Sequence, residues 1–167
     1  DRISPKPEQK NLMAVCKKII SAVKAGKEQN ALIVGSVGCG KTMMFSAVLN
    51  ELSRHGLSGC LIRLASMMLK IKSGLAVSLA AVQDEIEYFS TVKLLDIDEV
   101  DIISPTEKDS ELLHTIIDNR YNNQLSTVVV SNKLQEQVVE SLGQRIVDRL
   151  KSGGCQTVSL KMNSQRC

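Results

Sequence analysis

The sequence has no tryptophan, two tyrosines and two phenylalanines in 167 residues. With so few rings, Phe45, Tyr88, Phe89 and Tyr121, it cannot build the stacked aromatic platform of many single-strand binders. An aromatic-cored β-sandwich is equally excluded. Histidines number two, His55 and His114, far apart and without ligand-like spacing. The five cysteines (16, 39, 60, 155, 167) are an odd set with no CxxC pair. They read as reduced thiols of a cytoplasmic protein and argue against a disulfide framework or zinc site. No apolar run approaches membrane-spanning length, so no membrane association is expected, and no signal-peptide core opens the chain.

What is present is ordinary for one soluble domain. Apolar residues are 43% and charged residues 23%, with a net charge of +3. A chain of this size buries about 70% of its unfolded surface without staples. The charge permits contact with nucleic acid and does not by itself argue for it. The first residue is Asp1, and the chain reads as part of something longer.

Residues 1–7, with two prolines, read as a linker. From Glu8 to about Ala25, Leu12, Val15, Ile19, Ile20 and Val23 recur at helical spacing, and Gly26 ends the helix. Short apolar runs at 31–35, 59–65, 92–98, 126–132 and 155–161 predict five strands buried in a parallel sheet. Helical patterns separate them at 43–54, 66–73, 77–89, 109–121 and 134–150, the last broken or bent at Gly143. Strands alternating with helices imply an α/β fold, a parallel sheet with helices on both faces. No repeat is visible.

Gly35-Ser36-Val37-Gly38-Cys39-Gly40-Lys41-Thr42 follows the first strand and opens a helix at Met43. Its glycines let successive N–H groups turn inward around a phosphate, and the helix N-terminus adds positive potential. Lys41 suits the β- and γ-phosphates of ATP, and the Thr42 hydroxyl suits Mg²⁺. The third strand, Leu94-Leu95-Asp96-Ile97-Asp98-Glu99, ends in two acids. Asp98 is the expected Mg²⁺ ligand and Glu99 the expected general base for an attacking water. Asp96 shares a strand face with Asp98. It reads first as a hydrogen-bonded structural acid, and otherwise as a second acid tuning the metal site. The fourth strand ends in Ser131 and Asn132. Asn132 suits a water or the γ-phosphate. Arg145 and Arg149 lie four apart on one helical face, either as a solvated face or as a γ-phosphate finger for a neighbouring subunit.

With these pieces in order, the chain resembles the AAA+ ATPase domain of the bacterial DnaC/DnaI-type replicative helicase loaders, a clade that includes the IstB transposition ATPases. GSVGCGKT is similar to Walker A, LLDIDEVD to Walker B, VVVSN to sensor 1 and LGQRIVDRL to the loaders' late arginine motif. The resemblance implies a P-loop fold over residues 8–167 without a lid domain, and an N-terminal helicase-binding domain that lies outside this sequence. It implies ATP and ADP as ligands, with Mg²⁺. It also implies Arg149 as arginine finger with Arg145 as accessory, and self-assembly through the ATP sites. The helical insert after the second strand resembles the initiator-type insertion that lines a channel for single-stranded DNA. That makes Ser66, Lys70 and Lys72 its candidate DNA contacts, although for any single lysine a solvated helix face is the favoured reading. Expected partners are a DnaB-type replicative helicase and single-stranded DNA. Rival readings are an IstB-like regulator of a transposase, a P-loop small-molecule kinase and a non-hydrolysing nucleotide-binding scaffold.

Overall fold

A computed structural model describes residues 7–100 and 106–160. In chain order the elements are α1 (Pro7–Lys24), β1 (Ala31–Gly35), α2 (Lys41–Arg54), β2 (Gly59–Arg63), α3 (Leu64–Gly74), α4 (Leu79–Thr91), β3 (Leu94–Asp98), α5 (Glu107–Asn122), β4 (Ser126–Ser131), α6 (Gln135–Leu142), α7 (Gln144–Ser152) and β5 (Gln156–Leu160). The five strands form one parallel sheet in the order β2-β3-β4-β1-β5. The expected linker falls largely outside the described residues.

Side-chain alternation divides the interior into two layers. Leu32, Val34, Leu95, Ile97 and Val129 face α3 to α7. Ala31, Ile33, Leu94, Val128, Val130 and Val158 face α1 and α2. On α1, Leu12, Val15, Ile19 and Val23 are buried as their spacing predicts, joined by Cys16. Each such aliphatic contributes about 1.5–3 kcal/mol.

The element boundaries differ from the sequence pattern where backbone geometry takes over. β2 ends at Arg63 because Leu64, a buried residue, already starts α3. β3 starts at Leu94 rather than Val92, since the Val92 N–H donates to the Tyr88 carbonyl and closes α4. Gly143, at φ 84°, splits the last helical stretch into α6 and α7.

Arg120, which the sequence does not single out, is fully buried. Its guanidinium donates to the carbonyls of Phe89, Val92 and Ser126 and to the Thr127 hydroxyl. It thereby ties the end of α4, the end of α5 and the start of β4 together. Burial pulls its pKa down to about 9, against smaller opposing effects of Cys60 and Glu28.

Asp96 corrects an expectation. It is 1% exposed, and neither carboxyl oxygen has a hydrogen-bond partner among the described residues. It pairs in register with Leu61 and Val128 and lies on the sheet face of Leu94. The hydrogen bond expected of a structural acid is absent because its surroundings are aliphatic. Burial first, and the Asp98 carboxylate second, raise its pKa well above the ordinary carboxyl value.

Candidate active site

The carboxyl ends of β1, β3 and β4 meet at one edge of the sheet, where an open α/β sheet binds its ligands. The loop from Gly35 to Lys41 lies there against β5. A Cβ on Gly35 would sit 2.6 Å from the Leu160 carbonyl oxygen, so only glycine permits this approach. Gly40 caps α2 in the left-handed region at φ 86°, with no side chain occupying the cap. The first N–H groups of α2 are therefore left for a ligand, and no acid stands in that first turn.

Lys41 is 6% exposed. Its ammonium donates to the carbonyls of Gly35 (2.6 Å) and Ser36 (3.0 Å) and to Asn132 Oδ1 (2.9 Å). Asn132, just past the end of β4, and Lys41 from α2 are thus in direct contact. The Thr42 hydroxyl donates to Asp98 Oδ2 at 2.7 Å, while Asp98 Oδ1 accepts the Glu99 N–H at 2.8 Å. These residues line a cleft of about 410 Å³ with Val37, Gly38, Cys39, Gly40, Met43 and Glu99. Cys39 is buried, its sulfur 3.6 Å from Lys41 Nζ. Val37 and Met43 are exposed at the mouth.

A hydroxyl and a carboxylate at hydrogen-bond distance are hard oxygen donors. That chemistry fits Mg²⁺, which takes one or two protein oxygens and completes its shell with water and phosphate. Thr42 and Asp98 are the residues that would hold it. Asp96 does not line the cleft.

Glu99 has φ 53°, outside the usual range for a residue with a Cβ. Such strain concentrates at functional sites. Glu99 Oε2 forms an ion pair with Arg63 Nε at 3.1 Å. Arg63 is a neighbour of the candidate base that sequence reading missed. The signal that finds it is register, since Arg63 stands opposite Asp98 on the adjacent strand.

The remaining predicted residues lie elsewhere. Arg145 and Arg149 on α7 both bind Asp118 of α5, at 2.6 and 2.9 Å. Arg149 also stacks 4.7 Å from the Tyr121 ring centre. Neither lines the cleft of its own chain. On the α3–α4 hairpin, Ser66 is exposed. Lys70 pairs with Glu85 at 3.1 Å, and Lys72 with Asp109 at 2.6 Å. The Lys72 hydrogen bond is the largest cause holding Asp109 below the ordinary carboxyl range.

A phosphate loop between the first strand and its helix, an acidic third strand and a polar fourth strand on a sheet of this order define an AAA+ P-loop protein. Residues 13–167 match the model of the IstB-like ATP binding protein family, and the chain belongs to that family. Curated relatives include the replicative helicase loader DnaC of Escherichia coli (strain K12). It is 27% identical over 141 residues, which are 84% of this chain and 58% of the relative. The DnaC of Buchnera aphidicola subsp. Schizaphis graminum is 26% identical over 157 residues, 90% of this chain and 64% of the relative. The chain therefore spans less than two thirds of these relatives' length.

The fold is similar to a crystal structure of the DnaC helicase loader, with TM-score 0.82, 20% identity, and 96% and 95% of the two chains covered. It is also similar to AMPPCP-bound DnaA from Aquifex aeolicus, with TM-score 0.79, 19% identity, and 93% and 48% covered. Among the described residues no helix is long and apolar enough to cross a membrane.

Proposed function

We propose that this chain is the ATPase core of a helicase loader. It would bind ATP with Mg²⁺, act on single-stranded DNA and help place a DnaB-type replicative helicase on it. The observation that carries the reading is the single cleft that gathers Lys41, Thr42, Asp98, Glu99 and Asn132. The similarity to DnaC loaders supports it over a transposase regulator.

In this reading the loop N–H groups and Lys41 hold the phosphates, and Lys41 exchanges its carbonyl partners for phosphate oxygens. Thr42 and Asp98 would hold a divalent ion, which would supply positive charge against the phosphates. Glu99 takes a proton from the attacking water, and Asn132 orients that water or the γ-phosphate. The bond between the γ-phosphorus and the ADP oxygen breaks, leaving ADP and phosphate. Arg149, with Arg145 beside it, completes the site of a neighbouring subunit. Turnover is therefore slow in the monomer and rises on assembly with DNA.

The test is nucleotide binding and turnover of the wild type and Glu99→Gln, with and without single-stranded DNA. Glu99→Gln should keep ATP affinity and lose hydrolysis by roughly 10²-fold or more. Equal turnover in the two proteins would refute the assignment. Co-purification of the full-length protein with a replicative helicase in the presence of ATP tests the partner. Absence of any ATP-dependent association would refute the loader role.

A further inference from the structure

At the opposite edge of the sheet from the phosphate loop, a second cavity of about 210 Å³ opens beside the amino ends of β3 and β4. The two sites are separated by the length of a strand, roughly 17 Å for five residues. Three lysines from three segments line the cavity: Lys24 at the end of α1, Lys27 before β1 and Lys93 before β3. Among the described residues no acid lines it. Lys24 donates to His55 Nε2 at 2.9 Å rather than to a carboxylate. Neither Lys27 nor Lys93 makes an ion pair or a side-chain hydrogen bond among the described residues. Of the acids in the flanking segments, Glu28 accepts from Asn30 and Glu51 pairs with Arg54.

The wall between α5 and β4 is polar. Asn123 and Gln124 line it, the Asn123 amide donating to the Asn119 carbonyl at 2.9 Å. The buried Ser126 hydroxyl accepts the Gln29 N–H at 3.0 Å, and its own hydrogen has no acceptor among the described residues. Three lysines around one cavity repel one another, and an anion among them relieves that repulsion. No aromatic ring lines the cavity, so nothing there would stack a base.

We infer that this cavity is a phosphodiester site for the backbone of single-stranded DNA, distinct from the nucleotide cleft and from the α3–α4 hairpin. Lys27 and Lys93 make the direct phosphate contacts, Lys24 adds charge, and Ser126 donates its hydroxyl hydrogen. Recognition is independent of sequence because only the backbone is held. The choice of DNA as the source of the phosphate rests on the proposed function.

The experiment measures oligo(dT) binding by fluorescence anisotropy across a salt series, with the full chain and with the double variant Lys27→Ala/Lys93→Ala. Both lysines are exposed, so the fold is retained. The slope of log affinity against log salt should shrink by about 1.4, at roughly 0.7 per lost contact on single strands. Lys10→Ala/Lys17→Ala, which removes two exposed lysines from α1, should leave the slope unchanged, and ATP affinity should be the same throughout. An unaltered slope in the first variant, or an equal loss in the control, overturns the site. If Lys70→Ala/Lys72→Ala weakens binding while Lys27→Ala/Lys93→Ala does not, this site fails and the DNA reading stands. If the wild type binds no oligonucleotide, both fail. A thermal shift by inorganic phosphate at matched ionic strength, lost in Lys27→Ala/Lys93→Ala without any change in oligo(dT) binding, would reassign the cavity to free phosphate and overturn the DNA assignment.

Discussion

Replacing Asp96 by valine should stabilise this protein. Asp96 is 1% exposed and its carboxyl has no hydrogen-bond partner among the described residues, on the sheet face that packs against α1 and α2. An unpaired polar group in such a place costs about 1–3 kcal/mol. Valine fills a similar volume and adds apolar contact instead. The gain grows with pH. The native carboxyl titrates well above the ordinary value of 3.8, by burial first and then by Asp98. Above pH 3.8 the native state holds a proton that the unfolded chain has released. The group's contribution to stability is therefore full below that pH and drains away as pH rises through the raised native value.

Urea unfolding of wild type, Asp96→Val and Asp96→Asn at pH 5 and pH 8, without nucleotide or metal, checks this. At pH 8 Asp96→Val should raise the midpoint by about 1 M, from roughly 2 kcal/mol and a slope near 2 kcal/mol/M. The advantage should be smaller at pH 5. Asp96→Asn cannot titrate, so it should lose this pH dependence while keeping most of the cost of a buried polar group. A destabilised Asp96→Val, or a gain equal at both pH values, would refute the reasoning. Unchanged Mg²⁺ dependence of ATP hydrolysis in Asp96→Val would separate Asp96 from the metal site.

Other perturbations read other parts of the structure. Arg149→Ala should abolish DNA-stimulated hydrolysis yet preserve ATP binding, and normal hydrolysis would sink its assignment. Asp118→Asn, which releases both arginines from their shared carboxylate, controls for the lost intramolecular pair. It should change stability by less than about 1 kcal/mol, since the arginines are substantially exposed. Arg120→Met should cost roughly 3 kcal/mol or more in chemical denaturation, because three carbonyls lose their donor inside the protein. A loss under 1 kcal/mol would mean that water or repacking replaces the guanidinium.

The elements and the phosphate loop were legible in the chain because their causes are local. Apolar residues at a period near 3.6 define α1, and continuous apolar runs define buried strands. GSVGCGKT carries its conformation in its own glycines, and its chemistry in Lys41 and Thr42. Boundaries were less legible, since Leu64 and Val92 obey backbone hydrogen bonds that composition does not display. Tertiary structure alone decided what depends on strand order and register. It brought Asn132 against Lys41 across 91 residues and Asp98 against Thr42 across 56. It stood Arg63 beside Glu99, closed Arg120 inside three segments, and left Asp96 without a partner. The lysines show the same division. One dimension displays a mild net charge of +3, while the fold turns Lys70 and Lys72 toward acids and leaves Lys27 and Lys93 around a cavity without one. Local pattern sets which elements form, because secondary structure answers to neighbours in the chain. Charge pairing and burial answer to neighbours in space, and those exist only once the sheet has assembled.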